Sequence, residues 1–514
     1  MSSSKTVGVF LFFVVVILTL HAQTITGRIL GTVHDQSGAA IANATITLTD
    51  TQRGITRQLT SDESGSFVAA ALPPSVYAVR VAARGFKIEE RRDVQLEVAR
   101  DISLDFSLPP GEVQQEVVVT SEVPMVNTTS ATLGGTLSNR EINNLPLNGR
   151  NYENLLQLRP GVMRYPGGGF STTSANGLRA EDNVYLVDGL YNSEPFSGQS
   201  IINGAGIAGD SATILPVDAI QEFNVQQNPP AEYGWKPGAI INVGLKSGTN
   251  NFHGSAYAFG RDAAWDARNY FNTVQSGPKT PTTLEQFGGT LGGPIVKNKL
   301  FFFGGYEGQR YTVGNSFVIQ SPATVPLGGD PTNSIPDAIT ALQGMGIAIS
   351  PTSLKIAGCT LGPPVSCNGT GFPTNNATNP QGPTTVINGF PNSVSVDNFI
   401  GKINWQLNTS NSISGMYFFG NNNGTVEDFP ELQPQWLTLI HTRAQVAGVS
   451  WIWVPSSRWV NEARFGYNRL NQPTYNGDHL VNPETAYGLN TGVTTTPNTG
   501  GLPRIGFFGE FQTL

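Results

Sequence analysis

The chain has 514 residues, a formal net charge of −7 at pH 7 and a charged fraction of only 13%. Soluble domains carry about 25% charged residues, so this chain is unusually poor in charge. Its length predicts several domains. The acidic balance, with no basic block, argues against a nucleic-acid partner. The abundance of Gly, Asn, Ser and Thr favours extended β structure with tight turns over helices.

The first 22 residues have the features of a secretory signal peptide. Lys5 precedes the apolar run from Val7 to Leu20, and Ala22 offers a small residue at the cleavage point. The run is shorter than the roughly 20 residues that a membrane-spanning helix needs. We therefore expect residues 1–22 to be removed on export. If the mature chain enters a membrane, we expect a closed barrel, because lipid does not tolerate unpaired strand edges.

Residues 23–110 show short alternating runs separated by turn signals. The runs 45–49 and 77–81 place apolar residues at every second position, as does the stretch 102–108. This spacing predicts a small β-sandwich. The segments GTVHDQSGAAIANATITL and SDESGSFVAAALPPSVYAVRVAARGF resemble the carboxypeptidase regulatory-like domain. His34 stands alone beside a turn without further zinc ligands, so the resemblance does not imply peptidase activity.

The stretch from Pro216 to Asn250 has the most specific pattern in the chain. It reads PVDAIQEFNVQQNPPAEYGWKPGAIINVGLKSGTN, with strand-like runs on both sides of a turn-rich block. It resembles the junction between the plug and the barrel of TonB-dependent outer-membrane receptors, and the whole chain resembles their Oar-like branch. Upstream, LPLNGRNYENLLQLRPGV and YLVDG resemble plug motifs of that family. The resemblance implies a plug over residues 126–238. Within it we expect a short helix over 151–158 and a strand over 183–187.

Residues 239–514 show long hairpins with alternating polarity. The pattern predicts strands over 239–246, 252–260, 284–292, 300–311, 396–407, 412–420, 441–454 and 458–469. On the last of these, Phe465 and Tyr467 share one face while Glu462 and Arg464 share the other. Tight turns alternate with long connections and are flanked by aromatic residues, as in outer-membrane barrels. A plugged barrel takes roughly 22 strands, so we expect this sequence to be a fragment of the complete wall.

The expected fold class is therefore dominated by β structure. It comprises an N-terminal β-sandwich, a small α/β plug and part of an antiparallel transmembrane β-barrel.

Residues 111–125 link the sandwich to the plug. The centre of this linker is a β-branched run without an obvious sheet of its own, formed by Glu116, Val117, Val118, Val119, Thr120 and Ser121. Its position resembles a TonB box. The resemblance implies that an inner-membrane energy-transducing protein of the TonB type binds this segment by strand addition. The alternative is an ordinary last strand of the sandwich.

Cys359 and Cys367 are the two cysteines of the chain, and both lie in one loop-like region. In an oxidising compartment they can pair and close a small surface loop. The alternative is two free thiols. No metal-ligand spacing surrounds them.

Taken together, the residues and the resemblance predict an outer-membrane, TonB-dependent receptor. Expected partners are a TonB-type protein, outer-membrane lipid and an extracellular ligand, for which oligosaccharide, peptide and metal chelate remain open. The alternative is an Oar-like adhesion or structural protein that uses the barrel as an anchor. No catalytic set, metal cluster or cofactor motif is present: residues 204–209 fit G-x-G-x-x-G but lack the long helix that a dinucleotide site needs. No enzyme activity is therefore expected.

Overall fold

The strands of the computed structural model fall into three modules along the chain. The structure describes residues 26–111, 116–120, 133–164, 173–194, 198–204, 212–229, 233, 236–268, 279, 281–314, 317–368, 371–372, 384–388, 390–427, 431–456 and 459–505. The predicted signal peptide and most of the linker over 111–125 lie outside these residues. Among the described helices, none has both the length and the apolar character needed to cross a membrane.

The first module is a sandwich of two sheets. Its strands are β1 (Gly27–Asp35), β2 (Thr45–Asp50), β3 (Ile55–Thr60), β4 (Ser66–Leu72), β5 (Ser75–Ala82), β6 (Ile88–Leu96), β7 (Asp101–Ser103), β8 (Phe106–Leu108) and β9 (Glu116–Thr120). One sheet has the order β4-β1-β7, with β8 also paired to β1, and the other has the order β3-β2-β5-β6-β9. Inward positions alternate along each strand, as Ile46 and Leu48 on β2 show by their complete burial.

The second module, here called the central module, contains a mixed sheet. Its strands are β10 (Gly134–Ser138), β11 (Val162–Arg164), β12 (Thr173–Ala175), β13 (Val184–Val187), β14 (Leu190–Tyr191), β15 (Ile220–Gln226) and β16 (Ile240–Leu245). The main sheet has the order β10-β15-β16-β13-β14, in which β13 and β16 run parallel. Helix α1 (Asn139–Asn144) is capped by Ser138 and Glu141. The helix predicted over 151–158 is present as a 3-10 helix, Tyr152–Leu158.

The prediction that residues 239–246 form the first strand of the wall is wrong. This segment is β16, which lies in the middle of the central module's sheet between β15 and β13. All of its residues are buried. A strand covered on both faces carries a nearly continuous apolar run, and the sequence IINVGL has that character rather than strict alternation.

The third module is an antiparallel wall. Its strands are β17 (His253–Asp262), β18 (Thr282–Val296), β19 (Leu300–Val313), β24 (Asn392–Asn408), β25 (Asn411–Val426), β26 (Thr438–Ser456), β27 (Trp459–Asn471) and the short β28 (Thr474–Asn476). Neighbours pair in sequence order from β17 to β27, and β28 adds to β26. Seven of the predicted wall strands are therefore present, and β18, β24, β25 and β26 are several residues longer than predicted. Within the described residues β17 and β27 do not pair with each other, so the sheet is open.

The two faces of the wall differ in polarity as predicted. Val449 and Phe465 point outward and are 51% and 73% exposed. Glu462 and Arg464 lie on the opposite face and form an ion pair shielded from solvent. This face contacts the central module, because the Arg464 Nη1 donates a hydrogen bond of 3.0 Å to the Gly189 carbonyl.

Long connections leave the wall at the end opposite its tight turns. They contain β20 (Phe317–Gln320), β21 (Cys359–Thr360), β22 (Ser366–Cys367), β23 (Thr385–Asn388), α2 (Ile335–Gly344), α3 (Pro351–Ala357) and α4 (Pro483–Tyr487). Cys359 and Cys367 face each other across the β21–β22 pair and are bonded, with an S–S distance of 2.02 Å. Side chains from several of these connections pack into one small apolar cluster that includes Phe372, Trp436 and Leu502.

Candidate functional site

The central module lies against the inward face of the wall, and a buried ion pair joins the two. Asp188 occupies the turn after β13, with φ at 50°, followed by Gly189 with φ at 70°. Its Oδ2 lies 2.5 Å from the Lys402 Nζ on β24, and the two side chains are only 7% and 5% exposed. The other carboxylate oxygen accepts a hydrogen bond of 3.0 Å from the Leu245 amide. Asp188 thus connects β16, its own hairpin and the wall.

The tip of the same hairpin fits into a depression in the wall. Leu190 on β14 lies over Gly448 and Gly466, on β26 and β27. A Cβ atom at Gly448 would come within 2.3 Å of the Leu190 side chain, so any larger residue there would collide with it. Two small wall residues therefore allow the close approach of the central module.

A second polar contact is built around Arg150, in the LNGR stretch. Its Nη2 lies 2.5 Å from the Asp218 Oδ2 of the central module, and its Nε lies 3.8 Å from the Glu307 Oε2 of the wall. The Tyr257 hydroxyl donates a hydrogen bond of 2.5 Å to that same Glu307 oxygen. The guanidinium carbon also lies 4.6 Å from the ring centres of Tyr257 and Phe259. One arginine of the central module thereby contacts two wall strands.

A group of poorly satisfied polar side chains lies between the two modules. Asn398, Asn422 and Thr442 are completely or almost completely buried on β24, β25 and β26. The Ile214 amide donates a hydrogen bond of 3.1 Å to the Asn398 Oδ1. The Asn398 Nδ2, Asn422 Oδ1 and Thr442 Oγ1 have no hydrogen-bond partner within the described part of the chain. A buried polar atom without a partner costs about 1–3 kcal/mol, so water bound here would stabilise the interface. We call Asn398, Asn422 and Thr442 the polar seam.

The sandwich contacts both other modules at the end of the wall that carries the tight turns. The Val98 amide donates a hydrogen bond to the Glu222 carboxylate of β15. Burial of Glu222 raises the pKa of its carboxyl to about 7, although the Val98 amide favours the charged form. The backbone amide of Asn250 donates a hydrogen bond of 3.0 Å to the Gln52 carbonyl of the sandwich. The Asn250 side-chain oxygen accepts a hydrogen bond of 2.8 Å from the backbone amide of Asn298, which lies in a tight turn of the wall.

A cavity of about 500 Å³ lies where the three modules meet. The sandwich contributes Arg53, the central module Lys246, and the wall Lys402 and Arg464 to its lining. A cavity of this size falls in the range of small-molecule sites. It lies behind the central module as seen from the long connections.

The structure also places the candidate coupling segment. Glu116–Thr120 forms β9, which pairs in parallel with β6 of the sandwich, from Ile88 opposite Glu116 to Arg92 opposite Thr120. The expectation that this run has no sheet of its own is therefore wrong, because its partner lies far upstream and only the folded chain brings the two together. Ser121 lies outside the described residues. Strand formation does not decide whether the segment is a TonB box, so that assignment stays a prediction.

Sequence reasoning missed the contacts that hold the central module in place. Lys402 lies within the strand predicted over 396–407, but nothing in the sequence indicates Asp188 as its partner. The resemblance of YLVDG to a plug motif does not indicate that the Asp188 carboxylate is buried against the wall. Among the described residues no group of three or more His, Cys, Asp or Glu side chains is arranged to hold a metal ion.

A wall with an apolar outward face, and with a separate module packed against the polar and apolar side chains of its inward face, defines the class of outer-membrane β-barrel proteins. The chain belongs to the outer membrane beta barrel domain family, whose model matches residues 244–514. Residues 28–109 match the carboxypeptidase regulatory-like domain. The fold class expected from the sequence is thereby confirmed, and its location is the outer membrane.

The match between this chain and each individual relative covers only part of the relative's length. The TonB-dependent transporter Oar of Myxococcus xanthus is 29% identical over 295 residues, which is 55% of this chain and 26% of that protein. This chain therefore spans about a quarter of the length of that relative. A ferric enterobactin receptor mutant of Pseudomonas aeruginosa, solved with enterobactin, has 14% identity and a TM-score of 0.41, covering 75% of this chain and 45% of that one. The siderophore receptor PirA of Acinetobacter baumannii has 14% identity and a TM-score of 0.34, covering 66% and 44%.

Proposed function

We propose that this chain is part of a TonB-dependent outer-membrane receptor that takes up a ligand by energy-coupled movement of the central module. In this proposal the central module is the plug. The observation that carries it is the interface between this module and the wall, which combines the Lys402–Asp188 pair with the polar seam.

The physical character of this interface supports movement rather than permanent filling. Apolar side chains of the wall, such as Ile400 and Phe418, share one buried cluster with the central module. The polar seam and the two charged contacts interrupt that apolar surface. Because water can satisfy these polar groups when the surfaces separate, opening costs less than parting an equal area of apolar core. Burying charges such as Lys402 and Asp188 carries a desolvation cost. A module that only filled the barrel permanently would be held as well by apolar contacts alone.

The proposed coupling contact is β9. Within the described residues this strand is the edge of its sheet, with β6 on one side and no strand on the other. An open edge can accept a further strand through backbone hydrogen bonds. The partner would be an inner-membrane energy-transducing protein of the TonB type. A pull on β9 would act on the sandwich, and through Val98 and Glu222 on the sheet of the central module.

The ligand would enter from the long connections and leave through the cavity beside Arg53 and Lys246. Oligosaccharide, peptide and metal chelate all remain within the proposal. Uptake would be accompanied by separation of the central module from the wall along the polar seam.

The test uses proline at two consecutive positions of β9. Neighbouring residues in a strand direct their N–H groups to opposite sides, so one of Val117→Pro and Val118→Pro removes a donor from the β6 pairing and the other from the open edge. The variant that affects the open edge should lose energy-dependent uptake while the sandwich stays folded. Val117→Thr and Val118→Thr keep the donor and should behave as the parent does. Uptake of labelled oligosaccharides, peptides and ferric chelates would be measured at matched surface expression. Parent-like uptake in both proline variants would refute β9 as the coupling contact.

The second candidate function is adhesion with the barrel as an anchor. The observation that favours it is the ordered surface at the long-connection end, where α2, α3 and the Cys359–Cys367 disulfide surround small apolar clusters. Energy-dependent uptake separates the two functions, because an anchor requires none.

A further inference from the structure

A row of polar side chains crosses the outward face of the wall near the long connections. In order around the wall it consists of Glu285, Arg310, Asp397, Asn421, Arg443 and Arg469. Cross-strand pairing places Glu285 opposite Arg310, Asp397 opposite Asn421, and Asn421 opposite Arg443. These residues therefore stand at one level on neighbouring strands.

Below this row the outward face is apolar. Its exposed side chains are Phe287, Leu291, Tyr306, Phe399, Ile403, Tyr417, Val449, Phe465 and Tyr467. Further down, beside the tight turns, it carries the exposed tryptophans Trp405, Trp451, Trp453 and Trp459. This succession is the pattern of a hydrocarbon band above an aromatic girdle.

The spacing of the two boundaries agrees with the thickness of such a band. Ten residues separate Trp453 from Arg443 on β26, and ten separate Trp459 from Arg469 on β27. At about 3.3 Å per residue and a tilt near 40°, ten residues rise about 25 Å along the membrane normal, which equals the usual height of the band. Arg443 and Arg469 consequently lie where the hydrocarbon of the outer leaflet meets its head groups.

The charges along the row are balanced at one end and unbalanced at the other. Arg310 forms an ion pair of 2.8 Å with Asp397. Arg443 contacts no carboxylate among the residues that the structure describes; it donates to the Asn421 Oδ1 at 3.2 Å, and its guanidinium lies 5.4 Å from the ring centre of Phe419. The exposed side chain of Arg469 makes no hydrogen bond or ion pair to the part of the chain that the structure describes. Two adjacent arginines thus face the head-group region with uncompensated charge.

The two arginines are also placed to act together. Arg443 is opposite Asn471 and Arg469 is opposite Gln445, so they are diagonal neighbours on the same face. Diagonal neighbours in an antiparallel pair are about 7–8 Å apart, which lets two long side chains reach one phosphate. Guanidinium groups match phosphate oxygens with paired hydrogen bonds. Asn421, Asn423 and Gln445 beside them offer amides that suit sugar hydroxyls.

We propose that Arg443 and Arg469 form a binding site for the phosphate of a phosphorylated glycolipid in the outer leaflet. The acyl chains would lie along the apolar surface that Phe419 and Tyr467 begin, and the sugar would contact the neighbouring amides. The orientation of the site toward lipid, rather than toward the lumen or the loops, selects a lipid over a soluble phosphate. This proposal does not depend on transport.

The test uses the whole protein extracted from outer membranes in mild detergent, with bis-phosphorylated lipid A as the probe. Native mass spectrometry would measure binding to the parent, to the double variant Arg443→Gln/Arg469→Gln and to Lys297→Gln/Lys299→Gln. The last variant removes two exposed charges from a tight turn at the opposite end of the wall. Because the arginine variant loses charge-assisted hydrogen bonds to the phosphate, it should bind about tenfold more weakly or worse, while the lysine variant should match the parent.

Two further arms make the result decisive. Dephosphorylated lipid A should bind the parent as weakly as lipid A binds the arginine variant, and inorganic phosphate should not compete. Arg443→Lys/Arg469→Lys keeps the charge and should retain intermediate affinity, which separates loss of binding from loss of folding. Equal binding of lipid A by the parent and by a folded arginine-to-glutamine variant would overturn the site. Competition by inorganic phosphate would show a soluble-phosphate site and overturn the lipid assignment.

Discussion

Lys402 of the wall and Asp188 of the central module form an ion pair in which the Nζ–Oδ2 distance is 2.5 Å and both side chains are buried. Lys402 also donates to the Leu245 carbonyl at 3.3 Å, and Asp188 accepts from the Leu245 amide. The pair therefore links the wall to two strands of the central module. Because substitution of either residue leaves the other charge buried without this partner, the pair holds the module in one position and makes both residues sensitive to substitution.

Removing one member of this pair should weaken the docking of the central module. Lys402→Met leaves the Asp188 carboxylate buried without its cation and should cost about 3–5 kcal/mol. Lys402→Met/Asp188→Asn removes both charges, and Asn accepts the positive φ of the turn, so it should recover most of that loss. Hydrogen exchange of peptides covering 184–191 in the whole protein measures the effect.

The control for this prediction is Arg261→Met. It breaks the ion pair with Asp266, whose side chains are 50% and 32% exposed. Exposed pairs contribute about 0–1 kcal/mol, so exchange in the central module should not change. If Lys402→Met were as mild as Arg261→Met, the buried pair would have no role in docking.

Neighbouring residues on β26 should differ in their tolerance of arginine. Val449 faces lipid, whereas Ser450 lines the cavity on the inward side. Arginine on the lipid face costs about 2–4 kcal/mol at mid-depth. Val449→Arg should therefore reduce the amount of heat-modifiable folded barrel on gels, and Ser450→Arg should reduce it less. Equal amounts would show that the assigned faces of β26 are reversed or unimportant.

The central module should lose stability as pH rises toward 8. Burial raises the pKa of the Glu153 carboxyl to about 8, although the Ser200 hydroxyl donates a hydrogen bond of 2.7 Å to it. An unfolded Glu titrates near 4.3, so between these values the folded state keeps a proton that the unfolded state has released. This contribution is complete below about pH 4 and is lost through about pH 8, at about 1.4 kcal/mol per pH unit.

Glu153→Gln tests this titration, because it keeps an oxygen for the Ser200 hydroxyl and cannot ionise. Its stability relative to the parent should increase from about pH 5 to about pH 8. The ratio of hydrogen-exchange rates between variant and parent, measured at each pH in peptides covering 152–158, cancels the intrinsic pH dependence of exchange. A ratio independent of pH would contradict the raised pKa.

The sequence was sufficient for features that depend on local periodicity. Alternating polarity located seven wall strands and the opposite faces of Phe465 and Glu462, since one side of each strand meets lipid and the other faces the interior. It failed at β16, where burial on both faces removes the alternation that marks a wall strand. The lengths of β24 and β25 were also underestimated, because the added residues, NSVS and NNNGTV, are mostly polar and resemble loops.

Features that depend on long-range pairing were beyond the sequence. The β6–β9 pairing is parallel, and parallel strands are not joined by a tight hairpin turn. The sequence between the two strands therefore gives no signal that they pair. Asp188 and Lys402 are far apart in the chain, and Arg150 meets Glu307 only because a left-handed residue pair at Gly149 and Arg150 directs it to the wall. These contacts form only when the central module is packed against the wall. The polarity pattern of a single strand carries no information about that packing.

The central claim is that the central module separates from the wall during uptake, and a reversible tether tests it most directly. A Cβ built at Gly420 of the wall lies 2.8 Å from the Thr213 Cβ of the central module. Disulfides need about 3.5–4.5 Å, so Thr213→Cys/Gly420→Cys requires a shift of only about 1 Å to bond. Each single cysteine variant controls for crowding, and the parent controls for the effect of reductant on the Cys359–Cys367 bond.

The decisive measurement is energy-dependent uptake of labelled oligosaccharides, peptides and ferric chelates by cells carrying the double-cysteine variant, before and after mild reduction. We predict that uptake is abolished while the tether is oxidised and returns on reduction, with surface binding of the same ligand unchanged throughout. Uptake that proceeds equally in the oxidised and reduced states, with the tether shown to be complete, would contradict the account.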